Sequence, residues 1–100
     1  MVKLISLMRR AEGISPEDFR TWALEEHVQL ARELPGLRAY SVNVPENGDS
    51  AYDCVNEMWF DDEPARAAAF ASEAGKKAAA DAIAHASERV HLVTTEHKLL

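Results

Sequence analysis

Two side chains suited to proton transfer, His27 and Tyr40, lie in the first half of this 100-residue sequence. An imidazole exchanges a proton near neutral pH, and a phenol donates a hydrogen bond to an oxygen that becomes negative during a reaction. Each residue also has a structural interpretation: His27 as a partly buried histidine, and Tyr40 as a ring that packs while its hydroxyl stays hydrated. Their roles therefore depend on the elements that carry them.

A long helix is predicted to carry His27. Ser15 is a favourable N-cap, Pro16 suits the first helical position, and Pro35 with Gly36 ends the helix at about Leu34. At about 100° per residue, one compact stripe of this helix consists of Phe19, Ala23, Glu26, Leu30 and Leu34. Trp22 lies at one margin of the stripe and His27 at the other, so His27 is expected beside the sheet and within reach of a cleft.

Three further polar residues are candidates for a site. Glu57 interrupts an apolar strand, where burial would raise the pKa of its carboxyl, although an edge or dimer contact explains it equally well. Asp81 and His85 are four residues apart on a predicted helix, so the carboxylate can orient the imidazole, or the two can form an exposed pair.

Metal and cofactor sites are not expected. His91 and His97 lie six apart on one predicted strand, about 20 Å from each other, so they cannot share an ion. The four glycines are scattered and form neither a dinucleotide fingerprint nor a phosphate loop. Cys54 lies in a predicted strand, away from any helix N-terminus that would activate its thiol.

The predicted elements place all 100 residues in a single α+β domain. Strands are predicted at residues 2–8, 37–44, 52–60 and 91–97. The first helix lies between the first two strands, and a second helical region opens at Asp61, is interrupted at Gly75 and resumes from Lys76 to about Glu88. This βαββαβ order predicts a ferredoxin-like fold, an antiparallel four-stranded sheet with helices on one face.

The third strand predicts a homodimer. Val55 and Trp59 share one face of the strand, while Cys54, Met58 and Phe60 share the other, so neither face is polar. Helices cover only one face, and a second copy of the chain would cover the other, giving a dimeric α+β barrel. The alternative is that a small domain simply exposes these apolar residues.

Charge and hydropathy exclude several partners. A net charge of -6 disfavours binding to nucleic acid and to anionic lipid. No apolar stretch has the length of a membrane span, and the N-terminal segment lacks the pattern of a signal peptide. The single cysteine fits a reducing compartment, so the cytoplasm is expected.

The sequence resembles the EthD family of dimeric α+β barrel proteins. In the first half the resemblance rests on Phe19, Trp22, His27, Leu30, Leu34-Pro35-Gly36-Leu37 and Tyr40. In the second half it rests on Glu57-Met58-Trp59-Phe60-Asp61-Asp62, Ser72, Gly75 and Asp81. The family is named for a protein tied to ether degradation and includes domains similar to methylmuconolactone isomerases and polyketide-tailoring enzymes. The resemblance implies a ligand cleft between sheet and helices, with His27 and Tyr40 at the positions that act on substrate in the lactone isomerases.

The leading hypothesis is a cofactor-independent enzyme with isomerase- or cyclase-like chemistry on a lactone, organic acid or polyketide-like ring. In it His27 moves a proton and Tyr40 holds the developing negative oxygen. Pocket walls and binding residues are expected from Trp22, Trp59, Phe70, Glu57, Asp81 and His85. The alternatives are a non-catalytic metabolite binder or accessory protein of an oxidative degradation system, and a purely structural dimer.

Overall fold

A computed structural model describes all 100 residues and confirms the ferredoxin-like α+β fold. The strands are β1 (Val2–Arg10), β2 (Ala39–Asn43), β3 (Cys54–Phe60) and β4 (Ala86–Thr94). They form one antiparallel sheet in the order β2-β3-β1-β4. The helices are α1 (Pro16–Thr21), α2 (His27–Ala31), α3 (Glu63–Ala71) and α4 (Glu73–His85), with a π-helical turn (Trp22–Glu26) between α1 and α2.

The first helical segment begins as predicted but is not a regular helix. The Ser15 hydroxyl accepts from the Asp18 amide at 3.1 Å, as an N-cap should. The π-helical turn then adds one residue, so that the His27 N–H donates to the Trp22 carbonyl five residues earlier. The extra residue shifts the buried face of the helix by one position. Glu26, which was predicted in the apolar stripe, is exposed, and His27, which was predicted at the margin of the stripe, is buried.

The predicted break in the second helical region is misplaced. The break falls at Ser72, whose hydroxyl accepts from the Gly75 amide and caps α4, while Gly75 lies inside that helix. A Cβ on residue 75 would lie 2.6 Å from the Phe70 Cα, so glycine permits the tight corner between α3 and α4.

The last strand starts earlier than the sequence pattern indicates. Helix α4 ends at His85 rather than near Glu88, and β4 begins at Ala86. It pairs with β1 from Arg10↔Ala86 to Lys3↔Thr94. Pairing along this long neighbour overrides the helix propensity of the segment.

The helices cover one face of the sheet. Leu4, Met8, Cys54, Met58 and Phe60 are buried beneath them. No helix covers the other face, which carries Ile5, Leu7, Val55, Trp59, Val90 and Leu92. No helix has the length and apolar character needed to cross a membrane.

Candidate functional site

His27 and Asp81 form the centre of the candidate site. The π-helical turn directs His27 towards α4, where its Nδ1 lies 2.8 Å from Asp81 Oδ2. Trp22, also buried by this turn, donates its indole N–H to the same oxygen at 3.1 Å. The carboxylate therefore holds two side chains of the first helical segment from across the helical layer.

This contact determines how the His27 ring can act. With the Nδ1 proton donated to Asp81, the neutral ring carries its acceptor lone pair on Nε2. His27 is only 5% exposed and lines an internal cavity between helices and sheet, and Nε2 has no hydrogen-bond partner within the chain. The arrangement can accept a proton at Nε2, and the carboxylate stabilises the imidazolium that results.

His85 lies on the same side of α4 as Asp81 but meets different partners. Its ring stacks on Trp22, with centroids 4.5 Å apart and planes tilted by 15°. Its Nδ1 is 2.8 Å from the backbone oxygen of Asp81 and 3.4 Å from the carboxylate Oδ1. The predicted pairing within α4 therefore exists, and the structure adds His27 to it as the partner that reaches the cavity.

The cavity has a polar floor that the sequence analysis missed. Its free volume is about 30 Å³, which is room for one or two water molecules. Ser6 and Asn56 are paired across β1 and β3 and line it from below. The signal was present in the sequence, because both residues stand on the apolar face of a strand: Ser6 between Leu4 and Met8, Asn56 between Cys54 and Met58.

Asn56 offers a hydrogen-bond donor to the cavity. It is 3% exposed, and its carboxamide oxygen accepts from the Cys54 thiol at 3.1 Å. The amide NH₂ is then free to donate to an oxygen of a bound molecule. A donor held in this way beneath His27 can stabilise negative charge that develops when a proton is removed.

Arg89 and His91, both on β4, line the same cavity. Arg89 Nη2 lies 3.2 Å from His91 Nε2. Burial lowers the pKa of His91, and the charges of Arg89 and Arg66 lower it further, so the ring is neutral and accepts from the guanidinium. From the sequence, His91 is weighed only as a metal ligand, and Arg89 is not predicted as a site residue.

Tyr40 lies on the helix-covered face, directly across from Met58. Met58 lines the cavity, and the Tyr40 ring packs against the neighbouring hydrophobic cluster. Its hydroxyl is buried without a hydrogen-bond partner. Burial, with a contribution from Cys54, raises the pKa of Tyr40 to about 12, so the phenol is a donor at neutral pH. Tyr40 itself does not line the cavity, although its cross-strand neighbour Met58 does.

The remaining predicted site residues divide between the two faces of the sheet. Phe70 lines the cavity. Trp59 and Glu57 lie opposite Lys3 and Ile5 on the uncovered face, so the structure separates them from His27. Glu57 pairs with the Lys3 ammonium, which lowers the pKa of the carboxyl instead of raising it as burial would.

Known proteins share both the sequence pattern and the fold. The EthD domain model matches residues 11–87. An EthD-family protein from Bacillus halodurans is 28% identical, with a TM-score of 0.85 over 97% of this chain and 99% of that chain. A dimeric ferredoxin-like protein of unknown function from Thermobifida fusca is 21% identical, with a TM-score of 0.77 over 95% of this chain and 90% of that chain.

A third structure is that of SnoaB, a cofactor-independent oxygenase from Streptomyces nogalater. It is 19% identical, with a TM-score of 0.71 over 99% of this chain and 95% of that chain. No match was found among the curated proteins. Because the family model spans more than three quarters of the sequence, this chain belongs to the EthD domain family.

Proposed function

We propose that this chain is a small-molecule enzyme that rearranges an oxygenated organic acid, lactone or polyketide-like ring by acid-base chemistry of its own side chains. The observation that carries the proposal is the His27 ring, with Nδ1 held 2.8 Å from Asp81 and Nε2 free at the cavity. A base so positioned typically contributes about 10²- to 10⁴-fold in rate.

The proposed reaction starts at a carbon next to a substrate carbonyl. His27 Nε2 takes the proton, and the electron pair moves to the carbonyl oxygen to give an enolate. The Asn56 amide donates to that oxygen, and Tyr40 becomes a second donor when the wall at Met58, its cross-strand neighbour, moves and the cavity extends to the phenol. The imidazolium then returns the proton to another atom, which completes an isomerisation without any redox change.

A metabolite-binding or accessory role is the second candidate. Its accessory form is favoured by the free volume of about 30 Å³, which is too small for a ring-shaped substrate or metabolite. Turnover therefore requires the walls to move. Met8, Met58 and Phe70 form part of these walls, and methionine side chains repack readily.

Proton exchange separates the two candidates. Muconolactone, which carries acidic C–H groups beside a carbonyl, is incubated with the protein in D₂O, and loss of its C–H signals is followed by NMR. We expect His27→Gln to slow exchange by about 10²-fold or more while muconolactone still binds. His97→Gln, which changes an exposed histidine outside the helices and strands, is the control and should match wild type. Equal exchange rates in His27→Gln and wild type would refute the proton-transfer role, and binding without exchange in wild type would favour the second candidate.

The proposal includes a homodimer formed through the uncovered sheet face. Leu92 on this face is 47% exposed, and five further apolar residues of β1, β3 and β4 lie on the same face. A second copy would remove these side chains from water. The Thermobifida fusca neighbour, which has the same fold, is dimeric.

A further inference from the structure

The Arg89 side chain has no partner that balances its charge. Its Nε atom is buried without a hydrogen-bond partner, and its only hydrogen bond joins Nη2 to the neutral ring of His91. None of its neighbours in the cavity wall is acidic. The side chain as a whole is half-buried, and partial burial of a guanidinium without an anion lowers the pKa of Arg89 below its usual value.

The other cationic side chain near this end of the cavity is already neutralised. Arg66 acts on His91 from α3, but its guanidinium forms two hydrogen bonds with Glu63, at 2.6 and 2.8 Å. Asp81, the acidic residue bound to His27, is held by that ring and by Trp22. Arg89 is therefore the one permanent charge that lines the cavity, in a chain whose net charge is -6.

We infer that Arg89 is the anion receptor of this site and that the ligand carries a carboxylate, which binds the guanidinium while His27 acts on another part of the molecule. A guanidinium presents its N–H groups in a fixed fork that matches a carboxylate. The contact with His91 holds that fork in place and leaves Nε–H without an acceptor. The role of His27 in this inference rests on the proposed function, whereas the binding of a carboxylate by Arg89 does not. The inference narrows the substrate class to organic acids.

The test compares acetate with acetamide, which has the same shape and no charge. Binding to the full-length protein is followed through the side-chain Nε–H NMR signal of Arg89 at constant ionic strength. We expect a saturable shift with acetate and none with acetamide at the same concentration. Arg89→Gln should raise the acetate dissociation constant at least tenfold, whereas Arg38→Gln, which removes an exposed arginine paired with Asp61, should leave it unchanged.

Equal binding of acetate and acetamide to wild type would overturn the inference, as would unchanged acetate affinity in a folded Arg89→Gln protein. The comparison in wild type needs no variant, so the inference remains testable if Arg89→Gln does not fold. His27→Gln should keep its acetate affinity. Failure of the proton-transfer proposal is recognised separately, by deuterium exchange that persists in His27→Gln.

Discussion

The His27 Nδ1 atom lies 2.8 Å from Asp81 Oδ2, a contact between residues 54 positions apart in the sequence. It joins α2 to α4 and fixes which nitrogen of the imidazole faces the cavity. The carboxylate acts on the reaction through His27 and is a positioning residue in the proposed mechanism.

Replacing Asp81 by asparagine removes the charge that stabilises the imidazolium and keeps nearly the same shape. We expect Asp81→Asn to lower the deuterium-exchange rate by about 10²-fold with little change in ligand affinity. Asp61→Asn removes an exposed carboxylate from the pair with Arg38 and should leave the exchange rate unchanged. A loss of affinity with an unchanged rate at saturation would indicate instead that Asp81 contributes only to the shape of the pocket.

The π-helical turn behaves as a one-residue insertion between Trp22 and His27. Deleting Leu24, an exposed residue of this turn, would make the bond from the His27 amide to the Trp22 carbonyl an ordinary α-helical one. The side chains of Trp22 and His27 would both stay on the buried face of the helix. We therefore expect a free energy of unfolding within about 1 kcal/mol of wild type. Deleting Gln29 from the regular helix α2 rotates the following residues by about 100°, and it should lower the free energy of unfolding by at least about 2 kcal/mol. Urea denaturation measures both, and equal losses would contradict the insertion model.

The close approach at Gly75 gives a second test of packing. A Cβ there would lie 2.6 Å from the Phe70 Cα, whereas one at Gly48 would meet nothing within 4 Å. We expect Gly75→Ala to destabilise the protein by about 1–3 kcal/mol and Gly48→Ala to have almost no effect. Because Phe70 lines the cavity, the Gly75 variant should also weaken acetate binding. Equal thermal stability of the two variants would mean that α3 and α4 shift apart without cost.

Much of the fold could be predicted because its signals are local. Ser15 and Asp62 cap their helices, and β3 alternates buried and half-buried residues as its sequence pattern predicts. The π-helical turn has no such signal, because an inserted residue leaves the composition unchanged. A regular step of about 100° per residue therefore predicted Glu26 in the buried stripe of the helix and His27 at its margin. The contact of His27 with Asp81 depends on how two distant helices pack, which spacing along the chain cannot reveal.

Two buried acids make the stability of the folded chain sensitive to alkaline pH. Burial raises the pKa of Cys54 from 9.0 to about 12 and that of Tyr40 from 10.0 to about 12. The folded chain keeps these protons where the unfolded chain loses them, so their stabilising contribution is full below pH 9 and is lost as the pH rises towards 12. We expect the free energy of unfolding to fall above pH 9 by up to about 1.4 kcal/mol per pH unit for each group.

Single replacements show which of the two groups, Cys54 or Tyr40, causes the fall of the free energy of unfolding in each pH range. Cys54→Ala should flatten the dependence between pH 9 and 10, where Tyr40 contributes little, and Tyr40→Phe should flatten it only above pH 10. Urea denaturation at intervals of half a pH unit measures the slopes. Identical slopes in Cys54→Ala and wild type would indicate that the thiol reaches water when it ionises.

The uncovered sheet face carries the last prediction. Val55 lies near the start of β3, an interior strand of the sheet. It is paired with Leu7 on β1 and Asn43 on β2 and points away from the helices. In a homodimer formed through this face, Val55→Glu would place a carboxylate in an apolar interface, whereas in a monomer it would only add a hydrated surface charge. Sedimentation equilibrium should give twice the chain mass of 11.1 kDa for wild type and a single chain mass for Val55→Glu.

Ala84→Glu is the matched control for Val55→Glu, because it adds the same charge at an exposed position of α4. It should stay dimeric. The monomeric Val55→Glu protein should also unfold more easily on dilution than wild type, since a dimer's stability depends on its concentration. A wild-type chain that sediments as 11.1 kDa at tens of micromolar would contradict the dimer, and it would leave the His27 cavity intact, because that cavity lies on the opposite side of the sheet.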